Sequence, residues 1–516
     1  MMTVHTRRGL LKTAAALLPA VSWHSALCAA APKSVSITDV ILDLDNLHKW
    51  NDSNGDTWDP FWADDDNLYA FNCDGRGFGK AGAGRNLAFN RLVGDGPATL
   101  SGSMINTMDE YGKGGQKEAD NATWKVCGQE CIDSVFYTFV SRNAYGKDSG
   151  DYWLRQTAFN SSLIKSTDRG LTWSRGAAEN YKSPMWPGPA FGAPFFVHYG
   201  KNGGAVEQDG ARRYVYAVST NGFWNDGDTY TLARIAREKL PDMKAADWSY
   251  FTGGDGSQAK SWSAKLEEAK PILDLRTHCG QSGPCYIPAL GAYLMVAWYN
   301  TEKMIKWFEP NEMRYDFYQA PHPWGPWTPV HSYSDAFLSP GHMYGPSLCA
   351  KFQRKEGTDV HLTMFTSGCP FKDVPEGLYK AWEIPVIVKT APAIPSTLIP
   401  SGDARIVYHG DWTSSSEGRS SGSVRQAASA KDSAELSFRG VGIDFLADKR
   451  TGFGSVEIFL DGVSAHTAAL AVENLPRLNG VTVFRSGALK DGPHRIRVVN
   501  KSSAPVVVDG FQVYGG

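Results

Sequence analysis

The sequence predicts an all-β chain, a five-bladed β-propeller followed by a β-sandwich, and three observations predict it. Apolar runs of strand length recur five times between residues 68 and 365, at a spacing of 66 to 80 residues. Almost no stretch carries the 3.6-residue periodicity of a helix. Beyond a Pro-rich stretch the texture changes to short alternating strands.

The five runs are Leu68-Tyr69-Ala70-Phe71, Ser134 to Val140, Tyr214 to Val218, Ala292 to Trp298 and Val360 to Phe365. Each precedes a polar or glycine-bearing turn and then a further strand: Leu87 to Leu92, Ser162 to Ser166, Tyr230 to Ile235, Arg314 to Tyr318 and Leu378 to Trp382. A period this long, made of strands and turns, is that of propeller blades. Only Ala233 to Leu240 and Trp262 to Ala269 suggest short helices. Ser166-Thr167-Asp168-Arg169-Gly170-Leu171-Thr172-Trp173 matches the Asp-box turn found between outer blade strands. Its Asp caps the turn, its Gly takes a positive φ and its Trp fills the space between strands. The motif speaks for the fold and is silent on chemistry.

The propeller is expected over residues 32–390. Residues 391–403, with Pro392, Pro395 and Pro400, read as a linker. Residues 404–516 alternate as half-buried antiparallel strands, for example Ala434 to Phe438, Val456 to Leu460 and His494 to Val499. Tyr408-His409-Gly410-Asp411-Trp412 and Phe438 to Ile443 resemble the jelly-roll modules attached to many secreted carbohydrate enzymes, which implies a sugar-binding module or a spacer.

Residues 1–31 have the pattern of an export signal. Thr6-Arg7-Arg8-Gly9-Leu10-Leu11-Lys12 precedes an apolar run to Val21 and small residues at Ala29-Ala30-Ala31, which resembles a twin-arginine signal. A periplasmic or secreted location is therefore expected. Export permits disulfides. Cys127 with Cys131, and Cys279 with Cys285, are close enough in sequence to close short loops, and one thiol at least is left over. The formal charge of −2 and the lack of a basic run argue against nucleic acid as a partner. No mature apolar stretch is long enough to cross a membrane as a helix, and a monomer is expected. No phosphate loop, serine elbow or zinc motif is present, so no cofactor is called for.

The chain holds 17 Trp, 21 Tyr and 24 Phe, enough both to pack a β-rich core and to give a cleft flat platforms for sugar rings. Innermost blade strands meet around an axis, so candidate chemistry lies just upstream of each run. The first blade offers Asp56, Asp59 and Asp74 beside Trp58 and Trp62. A glycosidase needs two carboxyl groups flanking the scissile bond. Asp56 and Asp59 are three residues apart and would face opposite ways on a regular strand. Asp64-Asp65-Asp66 reads as a solvated hairpin turn, with structural calcium as the alternative. Blade two adds Lys125, Gln129 and Glu130. Blade four adds Arg276 and His278, and blade five His342 and Tyr344.

Two resemblances follow from blade one. Asp59-Pro60 with Tyr69 resembles the opening of arabinanase and xylosidase propellers, which implies that Asp59 is a general base. Gly55-Asp56-Thr57-Trp58, Trp62-Ala63, Leu68-Tyr69 and Asp74-Gly75 are similar to a second group of five-bladed hydrolases that includes endo-acting D-arabinanases, which implies Asp56 and Asp74 as the active carboxylates. Both patterns cover the first blade alone. The expected function is a secreted glycoside hydrolase acting on a poly- or oligosaccharide, an arabinan-type glycan among the candidates. Asp56, Asp59, Asp74 and Glu130 are its candidate catalytic groups. Trp58, Trp62, Arg276, His278, His342 and Tyr344 are its candidate binding groups. Two alternatives stand beside it: a polysaccharide lyase using His, Tyr and Arg, and a glycan-binding protein without catalysis.

Overall fold

The structure, a computed structural model, describes residues 35–79, 82–144, 156–204, 208–210, 212–300, 313–334, 343–368, 379–392, 396–416, 423–450, 452–471, 478–486 and 489–515. The leader read at 1–31 lies outside them. Strand dominates, and the one α-helix among the described residues is the six-residue Ala177–Lys182. No helix of the described residues is long and apolar enough to cross a membrane.

Five antiparallel sheets follow one another up to residue 392. In each, one apolar run of the sequence forms the second strand. Sheet one holds Phe61–Trp62, Leu68–Gly75, Arg85–Val93 and Ser101–Asn106. Sheet two holds Thr123–Ile132, Val135–Ala144 and Thr157–Ser166. Sheet three opens with Ala193–Phe196, Tyr214–Thr220 and Gly227–Ala236, and Pro271–Cys279 joins its third strand. Sheet four holds Cys285–Ile287, Ala292–Asn300, Met313–Ala320 and Thr328–Ser334. Sheet five holds Tyr344–Glu356, Asp359–Ser367 and Ala381–Pro392, and Val35–Leu42 completes it.

That last pairing ties the beginning of the described chain to the end of the five-sheet region. Val40 lies opposite Val388 and Leu42 opposite Val386, so apolar side chains are buried while edge N–H and C=O groups are satisfied. It also explains why the third strand of sheet five runs on to Pro392, past the segment Leu378 to Trp382 expected from the apolar pattern: it has a ladder on both sides. Sheet one lies between two neighbours: Phe61–Trp62 packs on Tyr344–Glu356, and Phe61–Trp62, Leu68–Gly75 and Arg85–Val93 pack on Thr123–Ile132. Ala193–Phe196 packs on Thr123–Ile132, and Cys285–Ile287 packs on Tyr344–Glu356.

The two helices suggested by sequence are not α-helices. Residues up to Ala236 stay in the strand Gly227–Ala236, and Pro241 holds the following Arg237–Asp242 to a 3₁₀ turn. Trp262–Ser263 is an edge strand and Leu266–Glu268 a single 3₁₀ turn. The Asp-box turn forms as its sequence implies. The Ser166 hydroxyl donates to Asp168 Oδ1 at 2.8 Å, Asp168 Oδ1 accepts the Thr172 amide at 2.9 Å, and Gly170 sits at φ +84°. Trp173 packs on Phe71 and Phe89 of sheet one, so the turn fastens sheet two to sheet one.

The acidic hairpin Asp64-Asp65-Asp66 is an ion-paired turn and not a cation site. Arg169 forks onto Asp64, Asp65 accepts the Tyr69 hydroxyl at 2.7 Å, and Asp66 pairs with Lys201 at 3.1 Å. No group of three or more metal-ligating side chains exists among the described residues.

The expected disulfides are absent. Cys73, Cys127, Cys131, Cys279, Cys285 and Cys349 are free, buried thiols. Cys127 and Cys131 share one extended strand, which separates them by roughly 13 Å, beyond the ~7 Å a bridge can span. Cys279 ends a strand of sheet three and Cys285 opens sheet four. Burial pushes the thiols of Cys73, Cys131 and Cys349 up to about 12, which suppresses their thiolates. Thiol titration without reductant should count at least six more reactive groups per chain in denaturant than in native buffer. A gain of four or fewer would show a bridge.

Residues 396–514 form two further four- and five-stranded sheets and a small three-stranded one. The Pro-rich stretch read as a linker is largely strand: Ser396–Pro400 pairs with Gly510–Tyr514. Along Ser433–Gly440, buried Leu436 and Phe438 alternate with exposed Ser437 and Arg439. They share a core with Phe445 and Phe511 of the facing sheet.

Candidate active site

The segment Asn54 to Trp62 enters sheet one through an irregular backbone. Asp56 exchanges both main-chain hydrogen bonds with Cys73, at 2.9 and 2.8 Å. Thr57 then turns left-handed, φ +57°, a conformation that a β-branched residue rarely adopts. Its amide donates to the Ser367 hydroxyl at 2.8 Å, which holds the turn from sheet five. The left-handed residue breaks strand alternation, so Asp56 and Asp59 do not face apart. Both reach sheet five, Asp56 through Tyr344 and Asp59 through Ser347. Gly75 lets the neighbouring chain close in, because a Cβ there would lie 2.2 Å from the Asn54 carbonyl oxygen.

Asp56 and Asp74 belong to one cluster. Tyr344 and Tyr379 donate their hydroxyls to Asp56 Oδ2 at 2.6 and 3.0 Å. Lys125, itself 4% exposed, makes an ion pair with Asp74 Oδ2. Burial raises the Asp56 carboxyl to about 6; Lys125 works against that rise and the neighbouring Asp74 charge adds to it. Asp74 sits at φ +49°, a second strained non-glycine position. Its Oδ1 is buried and has no hydrogen-bond partner among the described residues. The arrangement offers a carboxyl that keeps its proton to unusually high pH, beside a carboxylate held by a buried cation. One oxygen of that carboxylate is open to a further donor.

Asp59 and Glu130 come together in a different cluster, around a histidine. His198 places Nε2 3.1 Å from Asp59 Oδ1 and Nδ1 2.9 Å from Glu130 Oε2. All three residues are at most 3% exposed. Asp59 also accepts the Ser347 hydroxyl and the Gln129 amide, the latter at 3.2 Å. Glu130 accepts the Cys131 amide at 2.9 Å. Flanked by two carboxylates, the imidazole is raised to about 10 against the opposing effect of burial, so it is a cation at neutral pH. A small pocket beside this cluster is lined by Thr57, Asp59, Phe195, Gln281, Gly345 and Ser347, and Asp59 is the one carboxylate of the two clusters on its wall.

The other sequence candidates scatter. Trp58 is a core residue: its indole N–H donates to the Gly55 carbonyl at 2.9 Å, its ring packs edge-on to Phe78, and it reaches only the cavity wall. Trp62 lies next to the acidic hairpin, with its indole N–H on Asp66 at 2.9 Å. His278 is buried against Tyr299, ring centroids 3.7 Å apart, and its Nδ1 lies 3.2 Å from the Thr277 hydroxyl. Arg276 lies on the strand Pro271–Cys279, and His342 lies outside the described residues. Tyr344 is at the site, but as a donor to Asp56. His198 and Tyr379 were missed. His198 follows the first strand of sheet three, whose apolar neighbours Phe195, Phe196 and Val197 marked core; its place upstream of the run at 214 was the available signal. Tyr379 was absorbed into an expected strand that begins two residues later.

A family model described as Domain of unknown function (DUF4185) matches residues 105–368. No curated protein matches the chain. Among solved structures, a Bacteroides ovatus protein provisionally described as a hydrolase is similar at 12% identity and TM-score 0.42, over 67% of this chain and 90% of its own. The exo-β-1,3-galactanase of Phanerochaete chrysosporium is similar at 10% identity and TM-score 0.35, over 92% of this chain and 100% of its own. A family two carbohydrate esterase from Cellvibrio japonicus is similar at 13% identity and TM-score 0.19, over 24% of this chain and 34% of its own.

Proposed function

Because the chain belongs to the DUF4185 family, a domain of unknown function, we propose its activity from the site: it is an exported glycoside hydrolase that cleaves a poly- or oligosaccharide between Asp56 and Asp74. The observation that carries this is the carboxyl pair built around Lys125, in which Asp56 is raised to about 6 and Asp74 is ion-paired. Asp56 is the general acid. It gives its proton to the glycosidic oxygen as the C–O bond breaks. Tyr344 and Tyr379 orient it by donating to Oδ2. Asp74 is the partner carboxylate, acting on the anomeric carbon directly or through water, with its buried Oδ1 still free of a hydrogen bond. Asp59, the alternative base, has both oxygens occupied by His198, Ser347 and Gln129.

The supporting fold is a five-bladed propeller. The contacts of consecutive sheets, the packing of sheet five on sheet one and the closing strand Val35–Leu42 favour it. The likeness of blade one to endo-D-arabinanase propellers favours an arabinan-type glycan as substrate, and the arginine pair at Arg7-Arg8 favours twin-arginine export. Residues 396–514 form an accessory sandwich.

Purified protein should release reducing ends from at least one of a panel of plant, algal and bacterial-wall polysaccharides. Because the working form of Asp56 is the protonated one, kcat should fall as pH rises through about 6. An unsaturated product absorbing in the ultraviolet would show elimination in place of hydrolysis. A panel bound without cleavage would make the protein a lectin.

A further inference from the structure

His198 has no bond to Asp56 or Asp74, yet its bonds, directly or through Asp59, reach every sheet around them. Its main-chain N–H donates to the Pro284 carbonyl at 2.9 Å, and its carbonyl accepts the Tyr286 amide at 2.8 Å, which fastens it to sheet four. Its ring bridges Asp59, on the segment entering sheet one, and Glu130, on sheet two. Asp59 in turn accepts from Ser347 on sheet five. The two carboxylates it joins sit on two of the segments that carry the site. Asp59 is three residues beyond Asp56, and Glu130 shares the strand Thr123–Ile132 with Lys125.

We propose that His198 is a positioning residue for the reaction: by bridging Asp59 and Glu130 it sets how far the Asp56 segment stands from the Lys125 strand. Without a cation between them, two buried carboxylates repel and these segments spread. Lys125 then no longer offsets the burial of Asp56, and the proton on Asp56 is held more tightly. The groups facing Asp56 are Lys125, Asp74, Tyr344, Tyr379 and the Cys73 thiol. Those facing the bridge, besides its own two carboxylates, are the thiols of Cys127, Cys285 and Cys349. None of these thiols supplies a replacement cation.

The inference rests on the roles given to Asp56 and Asp74, and the test separates the two. His198→Gln and His198→Gln/Glu130→Gln are compared with the full-length wild type for Tm, kcat, KM and the alkaline limb of the pH profile. The single variant should lose about 10- to 100-fold in kcat with KM within about twofold, and its alkaline limb should move to higher pH. Removing the Glu130 charge as well should recover Tm and return the limb part of the way. If the single variant does not fold, a limb displaced in the double variant supports the proposal equally. A folded His198 variant with wild-type kcat and limb, whatever its Tm, overturns it. Asp56→Asn and Asp74→Asn run alongside: if these are inactive while His198→Gln is unimpaired, only the positioning role falls.

Discussion

Replacing Asp56 with asparagine is expected to lower kcat by about 10²- to 10⁴-fold, the range lost when a positioned acid or base is removed. KM should change far less, because the amide keeps the volume and still accepts from Tyr344 and Tyr379. Asp74→Asn should cost a similar factor for a different reason. It removes the carboxylate charge that pairs with the buried Lys125 ammonium. The two losses should not add, since both substitutions disable the same step. Asp59→Asn is the informative contrast, because its oxygens are spent on His198, Ser347 and Gln129. The assay is reducing-end release on the substrate found in the polysaccharide panel. Wild-type activity in both Asp56→Asn and Asp74→Asn would remove the assignment.

Asp59→Ala is expected to destabilise the protein by about 3–5 kcal/mol, the cost of breaking a buried ion pair by removing one partner. His198 and Glu130 would remain almost fully buried, with the Ser347 hydroxyl and the Gln129 amide left without their acceptor. Denaturant unfolding with an unchanged slope measures this; a loss under about 1 kcal/mol would mean that the cluster does not hold the sheets together. The pH dependence has a definite sign. The His198 ring is raised from 6.5 to about 10, so its stabilisation is complete below pH 6.5 and is lost as pH climbs toward 10. Glu130 is also raised, chiefly by burial, and its ionisation penalises the folded state in the same direction. Wild-type stability should therefore decline from neutral to alkaline pH.

Much of the strand order was legible because it is local. The run Leu68 to Phe71, its turn and the run Leu87 to Leu92 specify a hairpin within about 25 residues, and side-chain alternation with turn chemistry suffices for that. The Asp-box was legible for the same reason, since every bond in it lies within eight residues. The expected disulfides failed because closeness in sequence was taken for closeness in space, whereas an extended strand carries Cys127 and Cys131 apart. The calcium reading of Asp64 to Asp66 failed because its counter-ions, Arg169 and Lys201, come from sheet two and from the turn after sheet three's first strand.

By itself the sequence determined that this is an all-β chain with five recurring strand units, and that Asp56, Asp59, Asp74 and Glu130 lie beside the first two of them. It left the aspartates equivalent, because a carboxyl group's role depends on its solvent and its partners. Tertiary structure gives them different surroundings. Asp56 meets Tyr344 across 288 residues of sequence, and Asp59 meets Ser347 across the same separation. Burial raises the first to about 6 against the pull of Lys125, while His198 encloses the second in a salt cluster. A desolvated charge is governed by its few nearest neighbours, and in this fold those neighbours arrive from other sheets.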